Sequence, residues 1–378
     1  MSRALVDYVN DVPLYRRSSE DYILRRRPAV LYCERSEVAD GARQFRSVAG
    51  REPDWICLHA EDAASLAVSA AGLPSPVIAR SDLRDRPDLL VYLYGAHERR
   101  KGIALALAGI RHLCFAADPP YREGRYRPGY LRDHAEPLED VFALLADEES
   151  RLTFASVVRH RITGEHGYLR IADYPEYRHP LAHARPGDHV VDGGAFDGET
   201  SFDFARAAVG GRVYAFEPDV ENQRRIRERL DRARGGDAAT QAAAGAIEVV
   251  DAGLFDTRRT LRFSSGRGGS SAITPAASAD VTIAAVDLDS FLRERGDARC
   301  DLISLDVEGA EREALDGARK TIARHRPVLQ VSIYHTLADL FELPLHIHHE
   351  HRDYMFFVGH HNTYSTETDL YAVPKERL

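Results

Sequence analysis

Residues 190–198 read Val-Val-Asp-Gly-Gly-Ala-Phe-Asp-Gly, and their types and spacing could hold a charged ligand. Gly193, Gly194 and Gly198 let a ligand come close to the backbone, because glycine carries no Cβ and adopts left-handed conformations freely. Asp192 and Asp197 set two carboxylates beside that backbone, with Ala195 and Phe196 in the turn between them. Thr200 and Ser201 lie in the following stretch, Glu199 to Ala205, which reads as a helix. A pyrophosphate on that helix N-terminus would be repelled by both acids. A ligand with an ammonium and a sulfonium, and no phosphate, would be attracted. The glycines also miss the G-x-G-x-x-G spacing of dinucleotide loops. The loop therefore favours S-adenosylmethionine, with S-adenosylhomocysteine as its product, over a nicotinamide dinucleotide.

Three more apolar segments end in polar residues. Arg212 to Phe216 runs into Glu217-Pro218, where an acid is placed to accept from ribose hydroxyls. Asp301 to Leu305 runs into Asp306, with Glu308 just beyond. Pro327 to Tyr334 reads as a strand that ends in His335. With the glycine loop, four strands each deliver a polar residue at the carboxyl end. That is the rim where open α/β sheets bind ligands.

The set Val-Asp-Gly-Gly-Ala-Phe-Asp-Gly-Glu-Thr, Ala-Phe-Glu-Pro, Leu-Asp-Val-Glu-Gly-Ala-Glu and Ser-Ile-Tyr-His, in this order, resembles the FkbM-type methyltransferases. The resemblance covers roughly residues 140–374, and residues 148–180 look like the lead-in of the longer members. Asp197 is a departure, since many members carry a neutral residue there. The resemblance implies a class I, Rossmann-like sheet, mostly parallel, with one antiparallel strand near the C-terminus. It implies S-adenosylmethionine as cofactor and O-methylation of a hydroxyl on a sugar or secondary metabolite. It also implies that Asp251-Ala252, after the strand Ile247 to Val250, holds the adenine.

Methyl transfer to a hydroxyl needs alignment, exclusion of water and removal of a proton. His335 is the best base, a histidine at the rim with an ordinary titration near neutrality. Asp306 could hold the acceptor, orient His335, bind the methionine ammonium, or merely cap a helix from Ala310 to Ala323. Glu308 is a weaker acceptor contact, and Glu311 reads as an acid favoured by the helix dipole. His360 and His361, after the strand Tyr354 to Val358, could contact the acceptor. Tyr174 and Tyr177 could wall the cofactor pocket or be plain core aromatics. His346, His348, His349 and His351, with His360 and His361, suggest a divalent metal, but the run from His346 to His351 reads as a solvent-facing helix or loop, and a metal is not favoured.

The net charge of −9 argues against a nucleic-acid partner, and 44% hydrophobic with 29% charged residues fits a globular chain. No signal peptide or membrane-length apolar run is visible. Cys33, Cys57, Cys114 and Cys300 show no metal or disulfide spacing, so a reducing cytoplasm is expected. The expected organisation is an arm over 1–27, a small α/β domain over 28–118, a helical lead-in over 119–180 and the methyltransferase domain over 181–378. The small domain should alternate strand and helix around a parallel sheet, with strands that include Val77 to Ala79 and helices from Glu61 and His97. Its first turn, Cys33-Glu34-Arg35-Ser36, has no glycine to cradle phosphate. The Ser/Gly-rich stretch within Arg262 to Ala279 reads as a lid or a hairpin tip. A small-molecule acceptor is the expected partner, and a homodimer is compatible with this reading. Two rivals stay open: a non-catalytic S-adenosylmethionine-binding module, and a nicotinamide-dependent enzyme.

Overall fold

Short apolar runs alternate with polar helical stretches along the chain, and each run becomes a strand of a parallel sheet. The computed structural model describes residues 4–13, 28–59, 72–83, 85–86, 89–95, 101, 105, 110, 113–115, 129–163, 166–264, 272–273, 281–362 and 365–378. Residues 1–3 and 14–27 of the expected arm over 1–27, the helix from Glu61, most of the helix from His97 and most of the Ser/Gly-rich segment lie outside these residues. The chain divides into two compact units: 1–12, 129–159 and 169–378 form one, and 13–128 with 160–168 the other.

The smaller unit is built on β1 (Ala29–Cys33), β2 (Trp55–Leu58), β3 (Leu90–Leu93) and β4 (Leu113–Phe115), all parallel, in the order β2-β1-β3-β4. Every residue of β1 is buried, as expected for a central strand covered on both faces. Helix α1 (Val38–Ala49) packs against β1 through Val38, Ala42 and Phe45 and stops at Gly50, which takes the left-handed conformation at φ 66°. The expected strand Val77 to Ala79 is reduced to an isolated bridge between Val77 and Ile56. Pro74 and Pro76 precede it, and proline has no N–H to extend a ladder.

The larger unit carries a seven-stranded sheet. Its strands are β5 (His189–Gly193), β6 (Arg212–Phe216), β7 (Ile247–Val250), β12 (Leu302–Leu305), β13 (Val328–Ser332), β14 (Tyr354–His360) and β15 (Thr368–Pro374). Their order is β14-β15-β13-β12-β5-β6-β7, and only β15 runs antiparallel to its neighbours. This is the Rossmann-like arrangement expected, with its single reversed strand near the C-terminus. The order reverses between β5 and β12, and a crevice opens there at the carboxyl ends. A second, four-stranded sheet was not expected. It joins β8 (Gly253–Leu254), β9 (Arg259–Ser264), β10 (Ala272–Ile273) and β11 (Val281–Val286) in the order β10-β9-β11-β8.

Two boundaries differ in ways that matter for the site. The expected helix Ala310 to Ala323 is two helices, Glu311–Gly317 and Arg319–His325, broken at Ala318. A Cβ on Gly317 would collide with the carbonyl oxygen of Phe255, so this helix end lies directly on the backbone after β8. Strand β13 stops at Ser332, and His335 follows in the loop rather than on the strand.

Beneath the rim, His179 and His361 enter an aromatic cluster with Tyr174, Phe357 and Tyr371. His179 Nδ1 accepts the N–H of Leu181 at 3.2 Å, and its ring stacks on Tyr371. The His361 Nε2 lies 2.8 Å from the Tyr371 hydroxyl. Burial lowers both histidines to about 4, so they are neutral in the fold. The unfolded chain then binds more protons between pH 6.5 and 4, and stability should fall as pH drops through that window. Each ring is expected to contribute about 1–2 kcal/mol after partial solvent screening. Melting curves of the wild type and a His179→Gln/His361→Gln double variant check this. The stability gap between them should narrow as pH falls from 7 to 4.5, and a pH-independent gap would show that the rings titrate normally.

Candidate functional site

The loop after β5 is shaped by its neighbours before any ligand enters. Gly194 and Ala195 both donate their N–H to the carbonyl of Phe216, at 3.1 and 3.0 Å, which ties the loop to the end of β6. Gly194 sits at φ 88°, and a Cβ there would collide with the carbonyl oxygen of Asp306. Phe196 takes the left-handed conformation at φ 50°, and its side chain is exposed. Gly198, at φ 82°, starts helix α2 (Glu199–Ala207). Asp192 accepts the hydroxyl of Ser201 beneath the loop, and both residues are buried. Burial raises the Asp192 carboxyl to about 7 against the opposing Ser201 hydrogen bond. Asp197 pairs with Arg229 of helix α3 (Val220–Ala233) at 2.6 Å, so its charge pins the loop to that helix.

A cleft of about 630 Å³, counting space open to solvent, lies between this loop and the end of β12. Gly194, Phe196, Glu217, Pro218 and Asn222 line one side, and Asp306, Val307, Glu308 and Ala310 line another. Gly253, Leu254, Leu261 and Ile283 form an apolar floor drawn from the four-stranded sheet. Both Glu217 oxygens already accept a backbone N–H, from Phe196 at 2.9 Å and Asp219 at 2.8 Å. The Asn222 side chain bonds this carboxylate as well, which still leaves it acceptor capacity toward the cleft. Burial nevertheless raises this carboxyl to about 7. The lining holds three carboxylates and no lysine or arginine.

The Asp-Val-Glu-Gly-Ala-Glu stretch folds as one device. Glu308 and Gly309 turn the chain at φ 56° and 97°. The buried Glu311 carboxylate, at the start of helix α4 (Glu311–Gly317), reaches back and accepts the N–H groups of Val307 at 2.9 Å and Gly309 at 3.3 Å. Asp306 is thereby held at the crevice. The hydroxyls of Tyr177 and Tyr334 donate to it, at 3.1 and 3.3 Å. His335 stands behind this group: Nε2 is 3.3 Å from Asp306 Oδ1 and 3.5 Å from Glu308 Oε2, and Nδ1 is 3.1 Å from Glu311 Oε1. These contacts are at ion-pair distance but poorly aligned for hydrogen bonds. Burial works to lower the His335 value, but Asp306 and Glu311 outweigh it and lift it to about 11. The expected titration near neutrality is therefore displaced upward by three carboxylates that no spacing rule brings together.

Some residues expected at the site stand elsewhere. Asp251 is exposed and paired with Arg227, and neither it nor Ala252 lines the cleft; the next residues, Gly253 and Leu254, do. Thr200 and Asp197 line a wider groove with Tyr177, Arg178, Asp203 and Glu367, and Phe196 is shared between groove and cleft. His360 is fully buried against Thr368, and His361 lies with Tyr371 in the aromatic cluster described above. The histidines from His346 to His351 do not converge, and only His349 among them is exposed. On helix α5 (Asp339–Glu350), His346 pairs with Asp316 at 3.0 Å and His349 with Glu350 at 3.2 Å. Tyr334, Leu261 and Ile283 had no signal in the sequence, because a tyrosine inside a strand-like run and two apolar residues look like core.

The seven-stranded order, the reversed penultimate position of β15 and a cleft at the switch point define a class I, Rossmann-like methyltransferase fold. Residues 192–365 match the family model described as the methyltransferase FkbM domain. The crystal structure of methyltransferase FkbM from Methylobacillus flagellatus KT is similar in fold over 97% of this chain and 98% of its own, with a TM-score of 0.60 and 20% identity. Precorrin-6y C5,15-methyltransferase from Geobacter metallireducens GS-15 overlaps 51% of this chain and 81% of its own, with a TM-score of 0.31 and 15% identity. No curated protein matches the sequence.

The approach of Gly194 to Asp306 yields a direct test. Gly194→Ala places a methyl group against a carbonyl and imposes a left-handed alanine. A loss of about 1–3 kcal/mol in unfolding free energy is expected, measured by denaturant titration. Gly187→Ala, also left-handed but with open space around its Cβ, is the control for backbone strain alone. Equal losses in the two variants would show that the contact with Asp306 carries no cost.

Proposed function

We propose that the chain transfers the methyl group of S-adenosylmethionine to a hydroxyl of a sugar or secondary metabolite, with Asp306 at the acceptor and His335 behind Asp306. The observation that carries this reading is the cleft lining: three carboxylates, an apolar floor and no cationic side chain. Such a lining suits a ligand with a sulfonium, an ammonium and a flat base, and disfavours a pyrophosphate. The nicotinamide alternative loses its main support here. When bound, the cofactor supplies a methyl carbon whose bond to sulfur breaks, with its electron pair left on sulfur, as the acceptor oxygen bonds to that carbon.

The chain's own residues do the rest. Glu217 stands at the end of β6, where its remaining lone pairs can accept ribose hydroxyls. Pro218, Leu254, Leu261 and Ile283 offer the apolar slot for the base. Asp306 lines the cleft and holds the acceptor hydroxyl, and its carboxylate receives the proton as the new bond forms. His335 acts on Asp306 rather than on the acceptor, because it lies behind Asp306 and outside the lining. The groove beside the cleft supports a polyhydroxylated acceptor: Tyr177, Phe196 and Phe204 give flat apolar faces, and Glu176, Asp203 and Glu367 give hydroxyl partners.

Calorimetry and melting curves test the cofactor. S-adenosylhomocysteine at about 100 times its dissociation constant should stabilise the fold by about 2.7 kcal/mol, and NADH should not. Glu217→Ala should weaken that binding. Release of S-adenosylhomocysteine with a panel of glycosides and phenols tests the reaction, and Asp306→Asn should slow it by roughly 10²–10⁴-fold. Tight cofactor binding with no turnover on any hydroxyl, under conditions where an amine is methylated, would refute O-transfer. Near-normal turnover in Asp306→Asn would remove Asp306 from the proton's path.

A further inference from the structure

We infer that the Asp306–His335 face of the cleft is a site for one divalent first-row cation of the manganese class. The inference rests on the same cleft as the methyl-transfer reading and adds to it a cation that the chain binds by itself. Asp306, Glu311 and His335 present donor atoms that all lie within 4.8 Å of one another, the one such group among the described residues, and Glu308, outside that group, adds a carboxylate oxygen 3.5 Å from His335 Nε2. The His335 side chain is 91% buried, counted from its 9% exposure, and neither ring nitrogen has a hydrogen-bond partner. These carboxylates stand at ion-pair distance from a buried imidazole that makes no aligned hydrogen bond to them, an arrangement that a metal ion would join.

The two faces of the ring divide the work. Nε2 looks toward Asp306 Oδ1 at 3.3 Å and Glu308 Oε2 at 3.5 Å. Two ligands at right angles on an ion with bonds of about 2.1 Å stand about 3 Å apart, so a small closure of these side chains seats an ion there. Nδ1 looks the other way, to Glu311 Oε1 at 3.1 Å. That oxygen is fixed by the N–H groups of Val307 and Gly309 and cannot swing to the ion. It is placed to accept the Nδ1–H, which leaves an unprotonated Nε2 as the ligand, the carboxylate–histidine–metal order of many metal sites. One imidazole with two carboxylates, open to a cleft that admits water, suits manganese or iron(II) more than magnesium. Such an ion beside the acceptor position would lower the hydroxyl's own pKa and so lighten the demand on Asp306.

Mn²⁺ titration of the full chain, followed by the loss of the free-ion electron paramagnetic resonance signal, tests this without any acceptor. One ion per chain is expected. Removal of the ligand in His335→Ala should abolish binding. Glu308→Gln leaves the Glu311 clamp intact and should weaken binding at least tenfold, and Glu311→Gln should weaken it about 10–100-fold. His349→Ala, on the exposed face of α5, should leave it unchanged. Melting curves check that each variant folds. Absence of Mn²⁺ binding, or binding that survives His335→Ala, would overturn the proposal. So would expulsion of Mn²⁺ by saturating S-adenosylmethionine, which would assign these carboxylates to the cofactor's ammonium. Calorimetry with S-adenosylmethionine in the presence of a chelator keeps the two readings apart, since cofactor binding there upholds the methyltransferase reading whatever Mn²⁺ does.

Discussion

The buried carboxylate of Glu311 is the constraint on which the site depends. It closes the Val307–Gly309 turn through two backbone N–H groups and faces the His335 ring from behind. Three segments meet at this one group: the end of β12, the start of α4 and the loop after β13. Without it, Glu308 would have no reason to stay in a left-handed conformation, which costs a non-glycine residue on the order of 1 kcal/mol. Asp306 would also lose its fixed place against Gly194. The close approach of β5 and β12 backbones, which only a glycine allows, is the second half of the same arrangement.

Electrostatics gives this geometry its meaning. Glu217 and Glu308 are raised to about 7, first by burial, so the cleft holds negative charge at a cost in solvation. Arginines are plentiful in the chain, yet they sit where they brace structure: Arg229 on Asp197, Arg227 on Asp251. The loop carboxylate Asp197 is thus neutralised outside the cleft, and the cleft lining itself holds no lysine or arginine. A cleft built in this way is selective by charge before it is selective by shape.

Much of this was legible in the sequence because strand ends announce themselves. Val-Val-Asp, Ala-Phe-Glu and Ser-Leu-Asp each pass from buried β-forming residues to an acid, and the register of the parallel sheet sets Glu217 and Asp306 level at the rim, with Asp192 two residues below them. What the sequence hid is of two kinds. Contacts across long separations were invisible: Tyr177 and Asp306 are 129 positions apart, and only the fold makes them a pair. Backbone conformations were invisible too. Phe196, Glu308 and Tyr177 are left-handed without being glycine, so composition gives no sign of them. The apolar floor was missed because β8 has two residues, and β9 and β11 border the Ser/Gly-rich segment, too little pattern to read as a sheet.

The reading of His335 shows why type and position do not fix a role. A histidine at a rim suggests a base, since its free titration lies near neutrality. Here its environment is set by Asp306, Glu308 and Glu311 together, and these acids hold it far from that range. Any one of them alone would orient the ring. Three of them make it a place for positive charge, whether a proton or a metal ion supplies it. The proton-accepting role then passes outward to Asp306, the carboxylate that both touches this group and opens on the cleft. The Asp-Val-Glu-Gly-Ala-Glu spacing is thus accounted for residue by residue: one acid for the cleft, one for the turn's rim, one glycine for the reversal, and one acid buried to hold the other three.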